Sequence, residues 1–429
     1  MSMNSPLYVE RLILRDIRCF KQLEIQFNEP GESIVVVGDN GDGKSTVLRS
    51  LAMGICDQSS ASALFRELYG EYVRAGSPNG QGTIDVELVG HGRERYRIET
   101  HIKSLKAFER VEQVLSRIHG RRKTTLTQDT FPWDRIFASG YGPGIRVQGT
   151  SDYDYYLTVD AVYPLFRYDV LLQNPELVVR RLIDAAKRER AYKRANGILA
   201  QIKDLLARVL QLNPNHIYLE TNGIYVKGSS GKVGLSALAD GIRGTLTWVV
   251  DLIAWWFLYR REWRSTQFQE VRGIVLIDEI EQHLHPRWQR NIMHLLTDSF
   301  PHVQFIAATH SPLVASGCEG IPVHRLAHGE HSVEHPFGWL AEDVYQMMGL
   351  KQGSRSAVFR SDVLDRVREL DPRRMRGTAK KAELAELRKL EQRLKKLPGS
   401  DPVRALIGME SIRRLFETSE FDKHDKSDA

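Results

Sequence analysis

The residues best suited to chemistry come early in the chain. Gly38-Asp39-Asn40-Gly41-Asp42-Gly43-Lys44-Ser45 has the spacing G-x-x-x-x-G-K-[ST]. Glycines at those positions let successive backbone N–H groups curl around phosphate oxygens, and a helix beginning at the lysine adds its positive end. Lys44 would reach the β- and γ-phosphates, the Ser45 hydroxyl would help hold Mg²⁺, and Thr46 continues the same turn. Asp39 and Asp42 are unexpected in a loop meant for anions. Two carboxylates are tolerable there only if both face solvent or if Mg²⁺ offsets them.

Two later segments end apolar runs in polar clusters. Ile274-Val275-Leu276-Ile277 leads into Asp278-Glu279. After a phosphate loop, Asp278 suits a Mg²⁺ ligand and Glu279 is placed to orient or deprotonate an attacking water. Without that loop, the pair would read equally well as a solvated strand end. Phe305-Ile306-Ala307-Ala308 leads into Thr309-His310-Ser311. Ligands of open α/β sheets gather at the carboxyl ends of strands, where His310 could contact a γ-phosphate or the attacking water.

Positioning these groups takes buried strands and a helix. The run Ile34 to Val37, bounded by Gly38, reads as a parallel strand covered on both faces, and Ser45 onward has helical spacing. Residues 9–17 and 23–27 alternate as strands, and residues 55–170 suggest a β-rich lobe with loops. Leu177 to Leu210, with Pro175 ahead of it, is the longest helical pattern in the middle of the chain. Ile217 to Val226 reads as a hairpin, Leu246 to Leu258 as a buried helix, and Ala379 to Leu397 as a Lys/Glu/Leu-rich helix.

Composition bounds the class. The chain has 429 residues, 42% hydrophobic and 27% charged, with a net charge of +6. That balance suits a soluble globular protein of two or three domain-sized units, and it permits a nucleic-acid or phosphate partner without demanding one. The apolar run Leu246 to Tyr259 contains Asp251 and falls short of the ~20 residues that span a bilayer. The start lacks a signal-peptide layout. Cys19, Cys56 and Cys318 show no pairing pattern and read as small buried apolar residues of a reducing compartment. The expected location is the cytoplasm, with no membrane partner. His324, His328, His331 and His335 flank Gly329 in what reads as a hairpin rather than a metal site. Basic clusters at Arg121 to Lys123, Arg180-Arg181, Lys187 to Arg194 and Arg373 to Arg376 read as solvated faces, with phosphate contacts the alternative.

The order of these parts resembles the ABC-type ATPases, specifically their soluble branch of RecF, SMC-like and OLD-type proteins. Val9 to Leu12 with Ile17-Arg18-Cys19-Phe20 is similar to that branch's opening strand. Gly38 to Ser45 resembles Walker A, and Leu276 to Glu279 resembles Walker B. Gln282-His283-Leu284-His285-Pro286 is similar to its D-loop, and Thr309-His310-Ser311-Pro312 to its switch-histidine segment. Leu235 to Arg243 sits where the branch carries its signature, with Ala239 in place of the serine and Asp240-Gly241 kept.

The resemblance implies an α/β fold: a P-loop ABC-type ATPase head with an inserted helical and β lobe and a helical C-terminal region. The head would comprise residues 1–55 and 230–325, the inserted lobe 56–229, and a helical partner-binding region 326–429. It implies ATP and Mg²⁺ as ligands and a homodimer, or higher homo-oligomer, paired head to tail. In such a dimer Asp240 and Gly241 contact the nucleotide at the partner's Lys44, and the missing serine weakens that contact. A glutamine that senses Mg²⁺ and water is also implied, with Gln173 the candidate and Gln128 and Gln148 its rivals. No carboxylate cluster after residue 320 suggests a nuclease within the chain. Pro336 to Gly349 and the 379–397 helix are similar to the tail of ATPase subunits from Septu-type and retron-associated antiphage systems. Those work with a separate nuclease subunit. The alternatives are a RecF-like DNA-repair ATPase binding DNA without a nuclease, a transporter subunit, and a nucleotide-locked scaffold.

Overall fold

The computed structural model describes most of residues 6–350 and, beyond them, residues 366, 369–370, 373, 378 and 380–394; 144–147, 150–155, 235–239, 260–266 and shorter stretches elsewhere lie outside the description. Two compact units divide the chain, Met1–Leu350 and Lys351–Ala429.

The first unit is built on a six-stranded sheet. From edge to edge it runs Glu330–Glu334, Val323–Ala327, Ile34–Val37, His302–Thr309, Arg272–Ile277 and Ala138–Tyr141. Every neighbouring pair is parallel except the first, which is a hairpin. Ile34 to Val37 is continuously apolar because both its faces are covered: Val35 and Val37 pack into one core, Ile34 and Val36 into the other. The first core holds the helices Pro175–Ala186, Tyr192–Leu210, Asp240–Ala254 and Ile292–Ser299. The second holds the helix Lys44–Gly54 and a six-stranded antiparallel sheet.

That second sheet runs Phe20–Gln26, Leu7–Ile17, Gln81–Gly90, Arg95–Ser104, Glu109–His119 and Arg122–Leu126. It therefore joins strands from either side of residue 55, because Leu7–Ile17 pairs with Gln81–Gly90. Alternation in the opening residues shows that one face is buried, but cannot show what pairs with them.

Between the sheets and helices the residue patterns are locally legible, with two differences. The helical pattern from 177 to 210 is two helices, since apolar spacing lapses across Lys187-Arg188. Pro175 opens the first, with the Asn174 side chain accepting the Glu176 N–H at 2.9 Å. The buried helix Asp240–Ala254 continues as a π-helix, Trp255–Tyr259. Three strands, Ile217–Glu220, Gly223–Gly228 and Gly231–Gly234, form a small meander. Among the described residues, no helix is long and apolar enough to cross a membrane.

Of the cysteines, Cys56 and Cys318 are buried, but Cys19 is exposed. It sits in the Ile17–Phe20 turn, where a chain reversal and not a core sets the environment. In the second unit the helix Lys381–Leu394 carries Glu386 and Glu383 against Arg366 and Arg373, at 3.0 and 2.9 Å.

A candidate functional site at the carboxyl edge of the parallel sheet

Three adjacent strands deliver the polar clusters to one edge. Val37 aligns with Thr309, and Ile277 with Ala307. The loop after Ile34–Val37, the Asp278-Glu279 pair and the Thr309-His310-Ser311 segment therefore emerge side by side, with the histidine's strand between the other two.

The loop itself needs its glycines. Gly41 and Gly43 have φ of 89° and 92°, in the left-handed region that side chains disfavour. A Cβ on Gly43 would also lie 2.5 Å from the Phe20 ring and 2.6 Å from the Cys19 sulfur. The opening hairpin turn is thus packed directly onto the loop. Lys44 is buried, and its Nζ donates to the carbonyls of Gly38 and Asp39 at 3.0 and 2.9 Å. Burial pushes the Lys44 ammonium below the usual lysine range, opposed by Asp278, Asp42, Glu281 and Asp39. Ser45 and the buried Thr46 follow as the next residues of the helix Lys44–Gly54.

The two loop aspartates do not both face solvent. Asp42 is buried and its Oδ2 accepts the Asp39 N–H at 2.7 Å, while Asp39 Oδ1 accepts the Asn40 N–H at 2.6 Å. These carboxylates are used inside the loop, as acceptors for backbone donors that a turn leaves free. That is the ordinary role of aspartate in turns, and of the two expected arrangements it removes the one in which both carboxylates face solvent.

Asp278 is buried, and its Oδ2 has no hydrogen-bond partner. A buried carboxylate oxygen without a donor is costly, and a hard cation relieves it. The donor set thus fits Mg²⁺. Glu279 has φ of 49°, strained for a residue with a side chain. The Gln282 N–H bonds to Glu279 O at 3.0 Å, and Ile280 N–H reaches Ala308 O at 3.1 Å. The turn after Asp278 is thereby fixed to the neighbouring strand.

A residue that sequence reasoning passed over links these parts. Glu281 Oε2 accepts the Thr309 hydroxyl at 2.6 Å, and Oε1 accepts the His310 N–H at 2.8 Å. The only sequence signal was a third carboxylate in Asp278-Glu279-Ile280-Glu281, two residues past the pair. Ser311 caps the next helix, donating its hydroxyl to Gln289 Oε1 at 2.6 Å and accepting from Leu313 N–H. Burial, and then Lys44, hold the His310 imidazole below its usual pKa, with Glu281, Asp278 and Asp39 opposing. It is therefore neutral near pH 7, with one donor and one acceptor nitrogen.

Gln173 is linked to the Asp278 strand end through Asp251 and Tyr141. It is buried in the two-residue strand Leu172–Gln173, and its backbone N–H donates to Asp251 Oδ1 at 2.9 Å. Its rival Gln148 is in the paired strand, facing Leu172 in register. Gln128 is on the other side of the head, its Oε1 accepting from Gln58 N–H and its Nε2 donating to Gln113 Oε1. Asp240 and Gly241 open the helix Asp240–Ala254, and residues 235–239, including Ala239, lie outside the described residues. His324 and His331 pair across the 323–334 hairpin, Nδ1 to Nε2 at 2.7 Å.

A family model described as "AAA domain, putative AbiEii toxin, Type IV TA system" matches residues 33–316, from just before the phosphate loop to just past the switch segment. The chain belongs to this family. This AAA-family chain is 24% identical over 316 residues to Septu protein PtuA of Bacillus mycoides, covering 72% of this chain and 39% of that protein's length. It is 21% identical over 416 residues to Retron Vc95 probable ATPase of Vibrio cholerae, covering 80% and 79%. Among solved structures, an SMC head domain from Thermotoga maritima matches with a TM-score of 0.44 and 16% identity, covering 76% of this chain and 98% of that one. The α/β fold and the phosphate-loop spacing thus go with an AAA-family domain, similar in sequence to Septu protein PtuA and to a retron probable ATPase.

Proposed function

We propose that the chain binds and hydrolyses ATP with Mg²⁺, pairs head to tail with a second copy, and uses that cycle to regulate a partner nuclease in antiphage defence. The observation that carries the enzymatic part is the shared edge. The Gly38–Ser45 loop, the donor-free buried oxygen of Asp278, and His310 held by Glu281 meet at adjacent strand ends. The similarity to Septu and retron proteins supports the defence role, and the chain spans 39% of the length of the Bacillus mycoides relative.

Lys44 and the loop amides cradle the phosphates, and Ser45 with Asp278 would hold Mg²⁺. The metal, when bound, neutralises charge on the β- and γ-phosphate oxygens. Glu279 orients the water and accepts its proton; neutral His310 hydrogen-bonds at the γ-phosphate or the water. Asp240 and Gly241 serve the partner's nucleotide, and Ala239 removes a hydroxyl from that contact, so turnover is slow. Gln173 is the residue assigned to sense Mg²⁺, and residues 326–429 are assigned to partner binding.

Three measurements test this. Lys44→Ala should abolish ATP turnover, and Glu279→Gln should be trapped with ATP as a dimer, read by light scattering. Unchanged turnover in Glu279→Gln would refute its role. Affinity capture of Glu279→Gln from its own cells in Mg-ATP should recover a stoichiometric small nuclease. Recovery of DNA and repair proteins without one would favour a RecF-like ATPase instead.

A further inference from the structure

Asp251 lies deep in the helix that opens with Asp240-Gly241, 2% exposed among Val250, Leu252 and Ile253. Three donors meet its carboxylate. Gln173 N–H reaches Oδ1 at 2.9 Å, the Tyr141 hydroxyl reaches Oδ2 at 3.0 Å, and the Trp255 side chain also hydrogen-bonds to it. Trp255 is the first residue of the π-helix Trp255–Tyr259, a form that is rare and frequent at functional sites.

Tyr141 ends the strand beside Walker B, and its carbonyl accepts the Asp278 N–H at 2.8 Å. Its ring lies 5.5 Å from Trp248, one turn before Asp251 on the same helix. One buried carboxylate therefore ties together the backbone that carries Asp278, the backbone of Gln173, and the helix whose first residues are Asp240 and Gly241.

We propose that Asp251 is a positioning residue that couples the nucleotide site of its own chain to the signature helix presented to a second copy. This rests on the head-to-tail reading above. An apolar side chain would let the helix slide against its neighbours, because hydrophobic contact is non-directional. Three directional hydrogen bonds to one carboxylate fix its rotation and its translation. Movement at Asp278 or Gln173 is then passed to Asp240-Gly241.

The test uses the full chain with Asp251→Leu and Tyr141→Phe. Binding of a fluorescent ATP analogue, kcat and KM, and ATP-driven dimerisation in the Glu279→Gln background are measured for each. Analogue affinity and KM should stay within about twofold of the unmodified chain, while kcat falls about tenfold for Asp251→Leu and about threefold for Tyr141→Phe. Dimerisation should weaken in the same order. Tyr141→Phe keeps the ring and loses one hydroxyl, so it decides the matter if Asp251→Leu does not fold. Unchanged kcat and dimerisation in a folded variant would overturn the coupling, as would a loss of analogue binding that accounts for the whole fall in rate. If the unmodified chain itself neither turns over ATP nor dimerises, the head-to-tail reading fails first and the coupling falls with it.

Discussion

Two carboxylates that were inconspicuous in the sequence hold the site in shape. Glu281 uses both oxygens on the switch segment, so Glu281→Ala frees the Thr309 hydroxyl and the His310 N–H together. Hydrogen bonds to charged groups contribute about 1.5–3 kcal/mol, which translates to a fall in kcat of about ten- to hundredfold with ATP affinity retained. Steady-state ATPase kinetics would read this, and a rate equal to the unmodified chain would refute it. Asp251 makes a pH-dependent prediction. Burial pushes its carboxyl up to about 6 from an ordinary 3.8, against the bonds from Gln173, Tyr141 and Trp255. Between those values the folded chain holds the proton more tightly than the unfolded one, so stability falls as pH rises from 4 to 6 and then levels off. Two units correspond to about 3 kcal/mol. Asp251→Asn removes that penalty but cannot accept from all three donors, so it should stabilise the fold by about 1–2 kcal/mol at pH 8 and by nothing at pH 4. Denaturant melts at the two pH values give the answer; an Asn variant less stable at pH 8 would contradict it.

At the level of elements, what matters is which face each one buries. The helix Lys44–Gly54 carries the site's lysine at one end and packs its other end on the antiparallel sheet. A Cβ on Gly54 would lie 2.6 Å from Val86 Cγ2 and 3.1 Å from Ile84 Cγ2. Gly54→Leu forces that sheet away and should cost about 2 kcal/mol, seen in urea unfolding. The helix was legible from its apolar spacing, and its partner sheet was not, since four of that sheet's six strands come from residues 81–126. The phosphate loop was likewise legible from glycine spacing, whereas the inward turn of Asp42 depends on a backbone donor at Asp39 that spacing alone does not reveal.

Across the first unit, a buried glutamine helps to clasp the two sheets. Gln304, fully buried in the central sheet, accepts from Val9 N–H at 2.8 Å and donates to Val9 O and Glu32 O at 2.9 and 3.1 Å. Gln304→Leu strands the Val9 amide and carbonyl in an apolar core and should cost about 3 kcal/mol in denaturant melts. The net charge of +6 is not gathered on the outer face of the antiparallel sheet. There Arg97 forks onto Asp85 at 2.8 and 2.5 Å, Lys123 meets Glu99 at 2.6 Å, and Lys103 meets Glu112 at 2.8 Å. The more exposed of these pairs add little stability, and these basic side chains of that face are each matched by a carboxylate among the described residues.

The sequence by itself determined the residue types of the candidate site and most of the elements that carry them. Phosphate-loop spacing, strand-end carboxylates and period-specific apolar patterns are local, and each is enforced by backbone geometry within a few residues. The tertiary structure alone decided what those parts touch. Glu281 reaches His310, Asp251 gathers Gln173 and Tyr141, Phe20 packs on Gly43, and the opening strands join a sheet formed some seventy residues later. Those contacts join residues far apart in the chain, and hydrophobic burial, which is non-directional, selects them only once the whole core has formed.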